Sequence, residues 1–176
     1  MLFAVGGAEG KGVDAVEVSS LVAELFAAIH MLSPYAVPEQ APEVHFVPLA
    51  TMQRMICKDA CAVKAFYLPD KGIYVDETAD VRSDVFARSI LLHELVHHLQ
   101  HLNGRFAALD THCQRWQAKE IEAYQIQHRY LSKMNATRSF IALDTLPILC
   151  RDDTPSVSTL TEPAAAPAAA GSASSP

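Results

Sequence analysis

The sequence lacks the marks of several large protein classes. It has no lysine–arginine cluster or basic stripe. Asp and Glu (20) outnumber Lys and Arg (14), for a formal net charge of −6. Nucleic-acid binders carry a basic footprint, so no nucleic-acid partner is expected. No apolar run reaches the ~18 residues that cross a bilayer, so no membrane span is expected either. No internal repeat is visible. The start, Met1-Leu2-Phe3-Ala4-Val5-Gly6-Gly7, has no positive n-region, and its apolar core is too short for a signal peptide. As written the chain is expected in the cytoplasm; an export signal upstream of this start would place it in the periplasm or outside the cell.

Cysteine is scarce but even in number: Cys57, Cys61, Cys113 and Cys150. Disulfides Cys57–Cys61 and Cys113–Cys150 are one reading, and four buried thiols are another. A structural zinc site is a third, although Cys57-x3-Cys61 is not the usual Cys-x-x-Cys knuckle.

What is present suits one globular domain. Half the residues are hydrophobic and 19% are charged, an ordinary balance for a packed core. Residues 1–12 read as a flexible N-terminal segment and residues 13–150 as the domain. Residues 151–176 turn polar and end in a Pro/Ala/Ser run with nothing large to bury, which predicts a disordered tail. Apolar spacing predicts a helix over 13–32, stopped by Ser33-Pro34. A strand is expected at 44–48, a short helix at 49–56 and a strand at 62–67. The turn 68–72 then returns the chain as a hairpin into 73–76. Short elements are expected at 139–143 and 146–150. The expected fold class is α+β: a small antiparallel sheet packed on a helix pair, with an additional N-terminal helix.

The chemistry is concentrated in His93-Glu94-Leu95-Val96-His97. Apolar residues at Val85, Phe86, Ile90, Leu92, Leu95, Val96, Leu99 and Leu102 keep a helical spacing around it. Ser83-Asp84 offers an N-cap and Asn103-Gly104 a stop. Two histidines four apart share a helix face and can hold one ion, and the glutamate after the first can activate a water on that ion. His98 lies about 100° round the helix from His97, and His101 about 12 Å along the axis from His93. Both are expected at the surface or supporting the site, not in the ligand set.

A catalytic zinc takes three protein ligands and keeps one position open. The residues three and six after His97 are Gln100 and Asn103, so the long metzincin pattern is broken. Asp110 and His112, on the following loop, are possible ligands. The helix-forming stretch 113–131 offers Glu120 and Glu122, about 200° apart, so that only one can face the metal. Glu120 falls beside Trp116, Ala123 and Tyr124 on the packing side and is favoured; Glu122 falls with Lys119 and Arg129, a solvent-facing pattern, and stays the alternative.

His93-Glu94-x-x-His97 followed by Glu120-x-x-Ala123-Tyr124 resembles the gluzincin metallopeptidases, in particular small bacterial members of that type. The likeness covers roughly residues 43–131. It implies a zincin-like core with Zn²⁺ on His93, His97 and Glu120. It also implies Glu94 as general base, Ala123 as a small packing residue and Tyr124 where Asp or Asn commonly supports the first histidine. The implied function is zinc-dependent hydrolysis of a peptide or protein substrate, with the peptide added as a strand to an exposed edge at 73–76. Tyr67, Tyr74, Tyr124 and Tyr130 are the candidates for the group that steadies the oxyanion. Two other readings stay open: a zinc-binding but non-catalytic domain, and a metal-free interaction domain.

Overall fold

A computed structural model describes residues 15–57 and 61–136. The expected segments at 1–12, 139–143 and 146–150 and the tail at 151–176 lie outside the described residues. Among the described residues, seven elements run in the order α1 (Ala15–Leu32), β1 (Val44–Val47), α2 (Leu49–Ile56), β2 (Ala65–Leu68), β3 (Gly72–Asp76), α3 (Val85–Leu102) and α4 (His112–Lys133). The fold is α+β, four helices with one small sheet. Among the described residues no helix is long and apolar enough to cross a membrane.

The sheet corrects one expectation. It is mixed, not antiparallel, with strand order β1-β3-β2. β2 and β3 form the expected antiparallel hairpin, Ala65 opposite Val75 and Tyr67 opposite Ile73. β1 lies parallel to β3, Val44 opposite Ile73 and Val47 opposite Asp76. A parallel neighbour needs a long connection, and the chain between β1 and β3 supplies it with α2 and β2. Glycine is required at the hairpin: Gly72 has φ +92°, and a Cβ there would lie 2.3 Å from the Glu43 carbonyl oxygen. That carbonyl accepts the Ile73 N–H at 2.8 Å, so the close approach also joins the two parallel strands.

α3 is the central helix. Asp84 caps it by accepting the Phe86 N–H at 2.8 Å, and Gly104 (φ 56°) turns the chain after it. Leu91, Leu92, Leu95 and Val96 have no exposed surface, and they pack with Leu25 and Ile29 of α1, Ile73 and Val75 of β3, and Ala123 and Leu131 of α4. A helix apolar on most of its circumference must be covered on most of it, and burial at ~1.5–3 kcal/mol per large side chain fixes α3 against all its neighbours. α4 starts with a capping box: Thr111 accepts the Gln114 N–H, and the Gln114 side chain accepts the Thr111 N–H. The site is therefore carried on two well-anchored, adjacent helices.

Cys57 and Cys61 form a disulfide just before β2, and Cys113 is disulfide-bonded as well. The four-thiol reading is set aside for these three. Cys150 lies outside the described residues.

Candidate metal centre

Helical spacing stacks His93 and His97 on the face of α3 turned toward α4. Their Nε2 atoms lie 3.1 Å apart. From α4, Glu120 places one carboxylate oxygen 3.3 Å from His93 Nε2 and the other 3.2 Å from His97 Nε2. These three side chains are the one group among the described residues arranged to hold a metal ion, with ligand atoms all within 4.8 Å of one another.

The protons on the two imidazoles can be placed by following hydrogen bonds. Gln100 Nε2 donates to the Lys119 carbonyl at 2.9 Å and to Glu122 Oε2 at 3.0 Å, two groups that only accept. Its amide oxygen must then face His97 Nδ1, 2.9 Å away, and that nitrogen must carry the hydrogen. A second relay reaches His93. Ser89 Oγ donates to the Phe86 carbonyl at 2.7 Å and accepts from Gln127 Nε2 at 3.0 Å. The Gln127 oxygen is left facing His93 Nδ1 at 3.2 Å. Both rings therefore carry a hydrogen on Nδ1 and turn Nε2 toward each other and toward Glu120.

Lone pairs and a carboxylate at this distance repel unless positive charge sits among them. Ligand bonds of ~2.0 Å put the corners of a tetrahedron ~3.3 Å apart, which matches the separations of 3.1, 3.2 and 3.3 Å. The donor set and its spacing fit zinc. Without an ion, a proton supplies positive charge at the same place. Burial opposes charge on His97, yet the hydrogen bond and charge of Glu120, with the charge of Glu94, outweigh it and raise its pKa to about 9. Burial likewise opposes charge on Glu120, but the same two imidazoles hold it far below the usual carboxylate range.

Glu94 is buried beside this group. Burial raises its pKa, and Glu120 adds to the rise; His93, His97 and the backbone N–H of Tyr67 pull the other way. A carboxyl group shifted upward is a better proton acceptor near neutral pH than an ordinary glutamate. Two cavities, about 480 and 470 Å³, flank the centre and share Ala65, His93, Glu94 and Tyr124 in their walls.

A protein-family description, "Domain of unknown function (DUF6647)", matches residues 14–169. The chain belongs to the DUF6647 family. The matched span holds all three residues of the metal group and Glu94. No curated protein and no solved structure matches the chain.

The remaining residues singled out in this DUF6647 domain fall elsewhere. Asp110 and His112 are exposed and stand outside the metal group. His98 is buried off the metal face, edge-on to the Tyr67 ring at 5.5 Å. His101 is exposed and held by the Tyr67 hydroxyl at 2.8 Å. His45 pairs with the Lys71 carbonyl at 3.1 Å, away from the centre.

Glu122 requires a correction. It is not a solvent-facing charge: its side chain is 16% exposed, Arg105 Nη2 lies 3.1 Å from Oε1, and the Tyr35 hydroxyl donates to Oε2. With Gln100 it locks the relay behind His97. Gln100 and Gln127, buried at 0% and 3% exposure, are the functional residues the sequence did not disclose. One signal was available: Gln100 falls three residues after His97 and Gln127 seven after Glu120, positions that return to the same helix faces.

Proposed function

We propose that this DUF6647 domain is a zinc-dependent hydrolase of peptide bonds with a gluzincin-like helix pair. The observation that carries the reading is the pair of Nε2 atoms facing Glu120, each imidazole fixed at Nδ1 by a glutamine, with a buried glutamate at the second position of the motif. His93, His97 and Glu120 would hold the ion. When bound, zinc supplies a Lewis acid that acidifies a water and polarises a carbonyl.

The chain's own residues do the rest. Glu94, its pKa raised by burial, takes the proton of the attacking water on its carboxylate and passes it to the leaving amine. Of the four candidate tyrosines, Tyr124 is best placed to steady the oxyanion. Its ring centroid lies 4.4 Å from that of His93, and it lines both cavities. Burial first, then Glu120 and Glu94, keeps its hydroxyl protonated and able to donate. Tyr130 is buried in the core, Tyr74 stacks on Phe66, and the Tyr67 hydroxyl is engaged by His101.

Strand β3 cannot receive a peptide, because it is the central strand; this corrects the expected docking edge. The edge beside the centre belongs to β2. The Lys64 carbonyl accepts the Asp76 N–H at 3.0 Å, so with a two-residue period Phe66 and Leu68 also bond toward β3. Ala65 and Tyr67 then turn their backbone groups to the open edge. The Tyr67 N–H meets Glu94, and Ala65 is left to pair with an added strand.

A non-catalytic zinc site would close its coordination with a fourth protein ligand and would have no use for a buried base. The test is zinc content and cleavage of a mixed peptide library by the wild type and Glu94→Gln. Equal zinc with turnover reduced by at least a hundredfold is expected. Zinc bound equally and no cleavage by either protein would leave a binding domain.

A further inference from the structure

The two cavities differ in chemistry, and both open on the same centre. The first is walled by Val63, Phe86 and Ile90, all apolar. Apart from His93 and Glu94, which both cavities share, its charged neighbour is Lys64, paired with Asp76 at 3.5 Å so that its aliphatic stem can line the wall. The second is walled by Trp116, Lys119 and His101. Glu120 in that wall is committed to the two histidines. Lys119 makes no ion pair among the described residues. This cavity therefore offers an ammonium without an ion pair, together with the Trp116 indole, beside the centre.

Ala65 belongs to both cavities, so the open edge of β2 runs from one to the other across the metal group. An extended chain on that edge would drop side chains into each cavity on either side of the bond above the centre. A bond with a side-chain cavity on each side of it lies within a chain rather than at its end.

We infer that the centre acts within a polypeptide, at a bond flanked by an apolar side chain seated against Val63, Phe86 and Ile90 and an acidic side chain held by Lys119 beside Trp116. The choice of an extended peptide rests on the hydrolase reading. The selectivity rests on the two walls. An acidic residue gains from the ammonium and a basic one is repelled. A polar residue in the first cavity loses its water without gaining a partner.

Trp116 is the only tryptophan in the chain, so its emission reports the second cavity directly. Zinc-loaded Glu94→Gln protein is titrated with blocked octapeptides in a Gly/Ser background. These carry Leu and Glu in either order, adjacent or two residues apart, or Leu with Lys, or Ser with Glu. A Leu/Glu peptide is expected to bind at least tenfold more tightly than both controls. Lys119→Glu should reverse the preference between Glu and Lys, and Val63→Glu should remove the preference for Leu, with zinc stoichiometry unchanged in each. Lys119→Gln, which keeps the side-chain length, should abolish the Glu preference and serves if the reversal variant misfolds. Equal affinities for all peptides, or preferences that survive these substitutions, overturn the inference. Cleavage by the wild type is read separately. Selective binding without cleavage supports the two-cavity recognition and removes the hydrolase, whereas cleavage with no preference removes the recognition and keeps the hydrolase.

Discussion

Replacing Gln127 by methionine tests the tautomer argument behind the proposed zinc site. The substitution keeps the length and apolar bulk of the side chain but removes the acceptor 3.2 Å from His93 Nδ1. Without zinc, the ring has an escape: it moves its hydrogen to Nε2 and donates to Glu120, 3.3 Å away. With zinc on Nε2 the escape is closed, and a buried N–H stays unpaired at a cost of roughly 1–3 kcal/mol. The penalty falls on the bound state alone. Zinc affinity should therefore drop by about 1.4–2.7 kcal/mol, a ten- to hundredfold loss, the size usual for groups that orient a ligand. Gln127→Glu restores an acceptor, and its charge is offset by the metal-bearing imidazole, so its affinity should equal or exceed the wild type. Competition against a chromogenic chelator at neutral pH measures both, with circular dichroism as the control for folding. Wild-type affinity in Gln127→Met, or a Gln127→Glu as weak as the methionine variant, would refute the placement of the protons.

The two glutamates of α4 should separate cleanly. Glu120→Gln is expected to lose zinc by at least a hundredfold while keeping its fold, and Glu122→Gln to keep a full equivalent of zinc but melt earlier by about 1–3 kcal/mol, because it breaks the contacts to Arg105, Tyr35 and Gln100. Metal titration and thermal melts of the pair give the answer, and the reverse pattern would exchange their roles. Acid stability should depend on Asp76. Burial raises its pKa, but the Thr78 N–H and hydroxyl at 3.0 and 2.8 Å, with Lys64, hold it below the ordinary 3.8. A lowered folded pKa gives stability that is present above the unfolded value and lost as pH falls through the folded one. Wild-type protein should thus lose stability below about pH 4 more steeply than Asp76→Asn, and superimposable curves from denaturant melts would dismiss the effect.

Local rules made most of the fold legible. The helix around His93 was readable because cap, apolar period and stop all agreed over 84–104, and the hairpin because Asp70 and Gly72 are turn residues that tolerate positive φ. The parallel pairing of β1 was not readable. Val44–Val47 has the same composition in either direction, and its orientation is decided by how the chain crosses from β1 through α2 and β2, a tertiary choice. Glu122 was misread for a related reason. Its helical phase is that of an exposed residue, but Arg105 and Tyr35 come from other parts of the chain to cover it.

The candidate site divides along the same line, and the division has a physical cause. Atoms that would touch a metal must come from a few residue types at fixed helical spacing, so His93, His97 and Glu120 leave a pattern in the sequence. The groups that orient them face a weaker requirement. Any side chain that accepts from an Nδ1–H and is itself anchored will serve, and Asp, Asn, Glu, Gln or a carbonyl all qualify. Tyr124 occupies the place where the gluzincin resemblance implies such a support, yet its ring packs against His93 and the acceptor comes from Gln127, one helical turn further on. Moving the acceptor one turn along α4 leaves the Tyr124 hydroxyl with no hydrogen bond among the described residues and lining both cavities. On the proposed gluzincin-like reading the two features are linked: Gln127 gives the support to His93, and position 124 is left to serve as the proposed oxyanion donor. Tyr124→Phe should accordingly keep zinc and the His93 geometry while lowering kcat by roughly 10²–10³, and a loss of zinc in that variant would return Tyr124 to the supporting role.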